Sequence, residues 1–468
     1  MIIECPADTR LQEYLLKNDI HILTPCGGRG NCAKCKVRIL KGEAKINTMD
    51  QIWFSQKELD FICDFVTKKV QEMHKDEVHI SEMHNVVEGA LEQTNPLVAK
   101  SYRDYRNYKQ DFVQMLDEVY KKSQSIMYIG DKENSNTDSA LVSTKRSLIF
   151  NELNKELYKK FFLTTEEIQA CRDGYIYIHD MSARRDTMNC CLFDVQEVLK
   201  GGFEMGNLWY NEPKTLDVAF DVIGDIVLSA ASQQYGGFTV PNIELILEPY
   251  AEKSYNKAIK RYLELGLLED KAEAEALKDV KREFEQGFQG LEYKFNSVSS
   301  SRGDYPFITI TAGTGTGRFA KMATISMLDV RRQGQGKEGH KKPVLFPKIV
   351  FLYDKNLHGP GGELEDVFEA GIRCSSKTMY PDWLSLTGEG YISSMYKKYG
   401  KIISPMGCRA FLSPWYERGG MEPADEEDVP VFVGRFNIGA VSLHLPMIYA
   451  KAKQESRDFH EVLDYYLN

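Results

Sequence analysis

The chain has 468 residues, 43% of them hydrophobic and 27% charged, with a formal net charge of −9 at pH 7. This composition is typical of a globular protein long enough for several domains. The acidic balance argues against a general nucleic-acid-binding protein, which needs a basic surface, but it does not exclude binding of nucleotides. No run approaches about 18 uncharged apolar residues, and the first residues lack a signal-peptide pattern. We therefore expect a cytoplasmic protein without a membrane span, in which cysteines serve as ligands, catalytic groups or core residues rather than disulfides.

Three cysteines lie close together near the start of the chain, in the run CGGRGNCAKC. Cys26, Cys32 and Cys35 form a C-x5-C-x2-C pattern. Thiolates on a compact, glycine-rich loop are the usual ligands of iron–sulfur clusters. A zinc site usually needs a second C-x2-C pair, which the sequence does not offer. The run resembles the [2Fe-2S] loop of plant-type ferredoxins, which implies a small ferredoxin-like β segment over residues 1–50. Cys63 is then the candidate fourth ligand, and a fragment that binds no cluster is the alternative.

Residues 51–125 are predicted to be helical, because apolar residues recur at three- and four-residue spacing. The run from Val70 to Asn107 resembles the second half of an ATP-cone, the small nucleotide-sensing domain of many ribonucleotide reductases. This resemblance implies a partial ATP-cone-like region with ATP or deoxynucleotides as possible effectors. A helical spacer without nucleotide binding is the alternative.

From residue 126 onward, helical and strand patterns alternate. This alternation predicts βα units around a largely parallel sheet. The strand candidates are rich in β-branched residues, namely YPFITITAG, PVLFPKIVFLYD and VPVFVGRFNIGAVSLHL. Residues 251–290 are highly charged and are predicted to form a pair of solvated surface helices. The run DKENSNTDS is predicted to be a polar loop.

One cysteine in the C-terminal part of the chain stands in a turn-like setting, in the run SPMGCRAFLS. Cys408 follows Gly407, and Pro405 precedes both. Glycine relaxes the backbone limits, so a tight loop tip is predicted here. From this run alone, the thiol is either incidental or presented to a ligand.

Six segments from about residue 130 to residue 468 occur in an order that resembles one enzyme family, the catalytic subunit of anaerobic (class III) ribonucleoside-triphosphate reductase. The resemblance implies a ten-stranded α/β barrel of the glycyl-radical and ribonucleotide reductase type over residues 126–468, incomplete at its C-terminus. The segments are YIHDMSARRDTMNCCLFD, SAASQQYGGFTVPNIE, GFQGLEYKFNSVSSSRGDYPFITI, PVLFPKIVFLYD, SPMGCRAFLS and GRFNIGAVSLHLP.

The resemblance also implies a reaction: ribonucleoside triphosphates are reduced to 2′-deoxyribonucleoside triphosphates with formate as reductant. A cysteine thiyl radical takes the 3′-hydrogen of the ribose, the 2′-oxygen leaves as water, and the product radical is reduced. Cys408 corresponds to the thiyl residue. The second, hydrogen-donating cysteine comes from the run MNCCLFD. Cys190 and Cys191 point to opposite faces if this run is a strand, so only one enters the barrel, and we favour Cys190.

Other polar residues of these segments have less specific assignments. Asn437 corresponds to a substrate-contacting amide of the family, and an asparagine in a turn is the alternative. His179 and Asp180 are expected to be a satisfied buried pair rather than ligands, and the QQYGG run (233–237) is expected to line the barrel mouth without a catalytic role. The AGTGTGRF run does not meet the G-x-G-x-x-G spacing, so we expect no dinucleotide site there.

The family ends with a four-cysteine zinc module and a loop whose glycine carries the stored radical. The sequence has no cysteine after Cys408 and no R-x-x-G-Y run. The resemblance thus implies a reductase shortened at both ends, as a split-gene half, a gene-prediction artefact or a decayed copy. We expect such a chain to be inactive without a glycyl-radical segment. Its implied partners are nucleoside triphosphates, a radical-SAM activating enzyme and a second copy of the chain.

Two other functions remain open. A glycyl-radical enzyme of the pyruvate formate-lyase type also uses two adjacent cysteines, but it carries them at its loop tip. In this chain the adjacent pair, Cys190 and Cys191, lies far upstream of the loop-tip candidate Cys408. The third possibility is a non-catalytic iron–sulfur protein of electron transfer.

Overall fold

The computed structural model describes residues 56–468 except 76, 129–140, 185–186, 298–304, 408–409 and 414. The predicted cluster ligands Cys26, Cys32 and Cys35, the DKENSNTDS loop and Cys408 lie outside the described residues. The chain divides into two compact units, residues 1–116 and 117–468.

The described part of the first unit is helical, as the apolar spacing predicts. Its helices are α1 (Gln56–Glu72), α2 (Ile80–Thr94) and α3 (Pro96–Tyr128), the last of which continues past residue 116. Asn95 separates α2 from α3, and its side-chain oxygen accepts hydrogen bonds from the N–H groups of Leu97 and Val98. Satisfying free N–H groups in this way is how asparagine begins a helix. Glu88 pairs with Arg103 and Arg106, which ties α2 to α3.

The second unit alternates helices with short strands. Its helices are α4 (Val142–Phe162), α5 (Thr165–Asp173), α6 (Val195–Leu199), α7 (Leu216–Ser232), α8 (Ile243–Glu264), α9 (Glu269–Ser297), α10 (Arg318–Gln333), α11 (Lys355–His358), α12 (Glu365–Ser375), α13 (Tyr391–Tyr399), α14 (Leu445–Gln454) and α15 (Phe459–Leu467). Its strands are β1 (Ile176–Ile178), β2 (Cys191–Leu192), β3 (Phe203–Met205), β4 (Leu208–Tyr210), β5 (Phe238–Val240), β6 (Ile308–Ala312), β7 (Lys348–Tyr353), β8 (Asp382–Ser385), β9 (Trp415–Tyr416), β10 (Pro430–Val431), β11 (Arg435–Phe436) and β12 (Val441–Leu443).

The main sheet has six strands in the order β11-β2-β5-β6-β7-β8. Strands β2, β5, β6, β7 and β8 run parallel, and β11 pairs antiparallel with β2. This confirms the α/β class and the largely parallel sheet. Within the described ranges the sheet ends at β11 and β8 rather than closing on itself, so the ten-stranded barrel stays a prediction.

The charged helices that were predicted to lie on the surface also form part of the core. One face of α9 buries Phe284, Phe288, Leu291 and Phe295 at helical spacing. Gly287 allows the aromatic ring of Phe220 on α7 to approach, since a methyl group there would lie 2.1 Å from that ring. The prediction of solvated helices therefore holds only for their outer face.

The predicted strand VPVFVGRFNIGAVSLHL forms three strands instead of one. Strands β10, β11 and β12 pair with β9, β2 and β1 respectively, in three separate sheets. Gly434, which directly precedes β11, has φ +71°, a left-handed conformation that suits glycine. Of the helices in the described ranges, none is both long enough and apolar enough to cross a membrane.

Candidate active site

The two adjacent cysteines have different surroundings in the structure. Cys191 is buried in the hydrophobic core, and its Sγ donates to Gln234 Oε1 at 2.8 Å. Burial raises the pKa of Cys191 to about 12, so this thiol stays protonated. Cys190 is half-buried, and its Sγ accepts a hydrogen bond from the Gly237 N–H at 3.1 Å. The structure thus separates a core cysteine from one that lies beside the start of β5.

The loop that leads to Cys408 lies against Cys190. Met406 and Ala410 exchange backbone hydrogen bonds of 2.8 and 3.3 Å as partners in an antiparallel bridge. Gly407 has φ +48°, which favours glycine. A methyl group on Gly407 would lie 3.5 Å from Cys190 Sγ. Gly407 therefore has the turn conformation predicted for this part of the run SPMGCRAFLS. That Cys408 itself faces Cys190 stays a prediction.

Two threonines hold the Gly407 backbone. The Gly407 N–H donates to Thr239 Oγ1 at 3.2 Å, and Thr309 Oγ1 donates to the Gly407 carbonyl at 3.5 Å. Both threonines are fully buried and are partners in the β5–β6 register. We did not identify them from the sequence. For Thr309 the available signal was the alternation of ITIT in β6, where a period of two places hydroxyls on one face of a buried strand and isoleucines on the other.

Asn437 is joined to Cys190 by both backbone and side chain. Its N–H donates to the Cys190 carbonyl at 2.9 Å, and its Oδ1 accepts the Cys190 N–H at 2.8 Å. The Asn437 carbonyl also accepts the N–H of Asn189 at 2.9 Å. The structure brings these two predicted site residues together, and contact of Asn437 with a substrate stays a prediction.

The QQYGG run, residues 233–237, packs beside Cys190. Gln234 is buried, and its Nε2 donates to the carbonyls of Gly236 and Gly237 at 3.2 and 2.8 Å. A methyl group on Gly236 would lie 2.6 Å from Cys190 Sγ, so this position requires glycine. His179 and Asp180, which were expected to be buried, are both half-buried, and the Nε2 of His179 lies 2.8 Å from Ser442 Oγ.

The glycine-rich AGTGTGRF loop binds a glutamate of the chain itself. The N–H groups of Gly313, Thr314 and Gly315 donate to Glu244 Oε1 at 3.0, 3.1 and 3.3 Å. Glu244 is fully buried, and burial raises its pKa to about 6 despite these hydrogen bonds. Backbone amides of this kind are the groups that hold phosphates in nucleotide-binding loops. Here Glu244 is already their partner.

Of the four predicted cluster ligands, Cys63 lies within the described residues. Cys63 is exposed on α1, while the three other predicted ligands lie outside the described residues. Within residues 56–468, apart from the undescribed positions, no group of at least three His, Cys, Asp and Glu residues is arranged to hold a metal ion. Iron–sulfur binding by these four cysteines stays a prediction.

Sequence models of three protein families match the chain. The model described as anaerobic ribonucleoside-triphosphate reductase matches residues 133–468. The ATP cone domain matches residues 38–111, and the 2Fe-2S iron-sulfur cluster binding domain matches residues 1–61. The last match ends just before Cys63.

Curated relatives carry the same description as the largest match. The anaerobic ribonucleoside-triphosphate reductase of Haemophilus influenzae is 32% identical over 434 residues, covering 91% of this chain and 58% of the relative. The enzyme of that name from Enterobacteria phage T4 is 34% identical over 322 residues, covering 68% of this chain and 50% of the relative. The chain thus spans little more than half the length of these relatives.

A crystal structure of the anaerobic ribonucleotide reductase from Thermotoga maritima in complex with dATP and CTP is 14% identical with a TM-score of 0.45, covering 77% of this chain and 59% of that chain. The match over residues 133–468 spans most of the sequence, and the chain belongs to the anaerobic ribonucleoside-triphosphate reductase family.

Proposed function

We propose that residues 126–468 carry the ribonucleotide-reducing chemistry of an anaerobic ribonucleoside-triphosphate reductase. The observation that supports this most directly is the position of Gly407 near Cys190, where a methyl group on Gly407 would lie 3.5 Å from Cys190 Sγ. Gly407 is one peptide bond from Cys408, so its Cα lies about 3.8 Å from the Cα of that residue. The distance between two cysteines that act on one sugar is limited by the size of that sugar. The position of Gly407 is compatible with that limit.

In the proposed reaction, the Cys408 thiyl radical removes the 3′-hydrogen atom, so that an S–H bond forms and the C3′–H bond breaks. The 2′-hydroxyl takes a proton and leaves as water. Cys190 donates a hydrogen atom to C2′, and formate restores the Cys190 thiol and supplies the two electrons as it is oxidised to carbon dioxide. The Cys408 thiol then returns its hydrogen atom to C3′, which regenerates the thiyl radical. The sum is nucleoside triphosphate, formate and one proton giving deoxynucleoside triphosphate, carbon dioxide and water. A glycyl radical, formed by a radical-SAM activating enzyme, would supply the oxidising equivalent for the Cys408 thiol.

The surroundings of the two upstream cysteines support different roles for them. Cys190 is half-buried beside Gly407, where a ligand could reach its sulfur. Cys191 is packed in the core, and its thiol is occupied by Gln234. We therefore propose Cys190 as the hydrogen donor and Cys191 as a packing residue. Asn437, through its amide oxygen, fixes the backbone of Cys190, and we propose that it also contacts the sugar.

The test is anaerobic conversion of CTP to dCTP with formate and an activating enzyme, with and without a separately expressed glycyl-radical segment from a relative. Cys408→Ser and Cys190→Ser should abolish turnover but keep nucleotide binding close to that of the wild type. Cys191→Ala is the matched control and should retain turnover, because the thiol faces the core. Turnover by the Cys190 variant together with loss in the Cys191 variant would show that the two faces are assigned the wrong way round.

For the preceding part of the chain, we propose effector binding by residues 38–111 and a [2Fe-2S] cluster on Cys26, Cys32, Cys35 and Cys63. The family matches over these residues support both. Calorimetric titration with ATP and dATP tests the first. Reconstitution with iron and sulfide tests the second, because a cluster gives visible charge-transfer bands that Cys63→Ser should weaken or remove. Assembly as a homodimer is a further proposal, which sedimentation tests.

A further inference from the structure

Gly407 is bracketed by two hydroxyl groups from neighbouring strands. Thr239 on β5 accepts its N–H at 3.2 Å, and Thr309 on β6 donates to its carbonyl at 3.5 Å. We infer that Thr239 and Thr309 are positioning residues, which hold the Gly407 backbone against Cys190 and so set the spacing between Cys190 and the residue that follows Gly407. The importance of that spacing rests on the proposed function, whereas the contacts themselves do not.

Gly237 provides the surface against which Gly407 packs. A methyl group on Gly237 would lie 2.5 Å from Gly407 Cα, a distance at which the two backbones would have to separate. The N–H of the same Gly237 donates to Cys190 Sγ at 3.1 Å. One glycine therefore touches both sides of the site, the sulfur through its amide and the loop through its Cα. The spacing between Cys190 and the loop depends on this close approach.

The two threonines have a reason to be threonine rather than valine. Valine has nearly the same shape and suits a buried strand, whereas a buried hydroxyl costs free energy unless it forms a hydrogen bond. Thr239 and Thr309 are both fully buried, and their hydroxyls bind Gly407. Thr311, two residues further along β6, binds a different group, because its Oγ1 accepts the N–H of Asn242 at 2.9 Å. Thr311 is therefore a natural control from the same face of the same strand.

The experiment measures the Cys190–Cys408 spacing chemically, with no need for turnover. Dibromobimane becomes fluorescent when it bridges two nearby thiols, and peptide mass spectrometry identifies the bridged pair. We expect the wild-type protein to form the Cys190–Cys408 bridge. Thr239→Val and Thr309→Val should each slow it roughly five-fold, the factor that corresponds to one net hydrogen bond. The matched serine variants keep the hydroxyl and should bridge close to the wild-type rate, and Thr311→Val should do the same.

Each outcome bears on the inference separately from the proposed function. The positioning role would be overturned if the valine variants unfold at the wild-type urea concentration and bridge at the wild-type rate. It would also be overturned if the wild-type protein forms no bridge. Slower bridging in the valine variants, restored by serine, supports it even if no deoxynucleotide is ever made. Gly237→Ala should abolish the bridge. The threonine variants keep the test decisive if that variant does not fold.

Discussion

Replacing Glu244 by glutamine should make the protein more stable, relative to wild type, as the pH rises. The carboxyl group is fully buried, and Oε1 accepts three backbone N–H groups of the AGTGTGRF loop. Its buried Oε2 has no hydrogen-bond partner among the described residues. A glutamine can accept the same three hydrogen bonds without carrying a charge, so the substitution isolates the effect of ionisation.

The magnitude follows from the pKa of Glu244, which burial raises from 4.5 to about 6. A raised pKa means that the folded state holds the proton more tightly than the unfolded state. The stability that this contributes is fully present below pH 4.5 and is lost as the pH rises to about 6. At roughly 1.4 kcal/mol per pKa unit, the loss is about 2 kcal/mol. The glutamine variant has no such loss, because it cannot ionise.

Urea unfolding of both proteins from about pH 4.5 to about pH 7.5 measures this difference, since the titration of all other groups cancels between them. The free energy of unfolding of the variant minus that of wild type should rise by about 2 kcal/mol across this range. Glu248→Gln is the matched control, because this half-buried side chain lies one turn further along α8 and accepts the N–H of Ala320, the residue after the same run, at 3.3 Å. A difference that stays flat with pH, or falls, would refute the assignment of Glu244 as a carboxyl group destabilised by burial.

Three further predictions concern the core of the second unit and the reactivity of the cysteines. Arg331→Met should lower the free energy of unfolding by about 3–5 kcal/mol, because it leaves Glu292 buried without the guanidinium that lies 2.6 Å away. A second change, Glu292→Leu, should restore most of the loss in urea unfolding, and equal stability of the single and double variants would contradict this. Iodoacetamide at about pH 8 should label exposed Cys63 in the folded protein but not Cys191, whose pKa burial raises to about 12; early labelling of Cys191 in peptide mass spectra would contradict the burial. Gly287→Ala should cost about 1–3 kcal/mol, because its methyl group would lie 2.1 Å from an aromatic ring of α7, and an unchanged urea midpoint would show that the helices can separate without cost.

Local patterns were sufficient to predict the elements whose stability depends on one periodic face. Apolar spacing predicted the helices α1, α2 and α3, and the β-branched run ITITA predicted β6. If the run MNCCLFD is a strand, its period predicts opposite directions for Cys190 and Cys191, and the structure gives the two thiols different hydrogen-bond partners. Membership of the family was predictable because six segments occur in order, a property of the sequence that needs no coordinates.

Local patterns failed where an element exists only through a distant partner. Strands β2 and β11 have two residues each, too few for a propensity signal, and they form because they pair with each other across the sheet. The run from 429 to 445 reads as one strand but is divided among three sheets for the same reason.

The candidate site shows the same division between sequence and tertiary structure. Through its resemblance to the family, the sequence predicted Cys408, Asn437 and one of Cys190 and Cys191 as site residues. Only the tertiary structure decided that Cys190 lies beside Gly407 while Cys191 enters the core. That choice depends on hydrogen bonds to residues 47 and 247 positions away in the chain. The period of a strand places two neighbours on opposite faces, but which face becomes the site is determined by the elements that pack on each side.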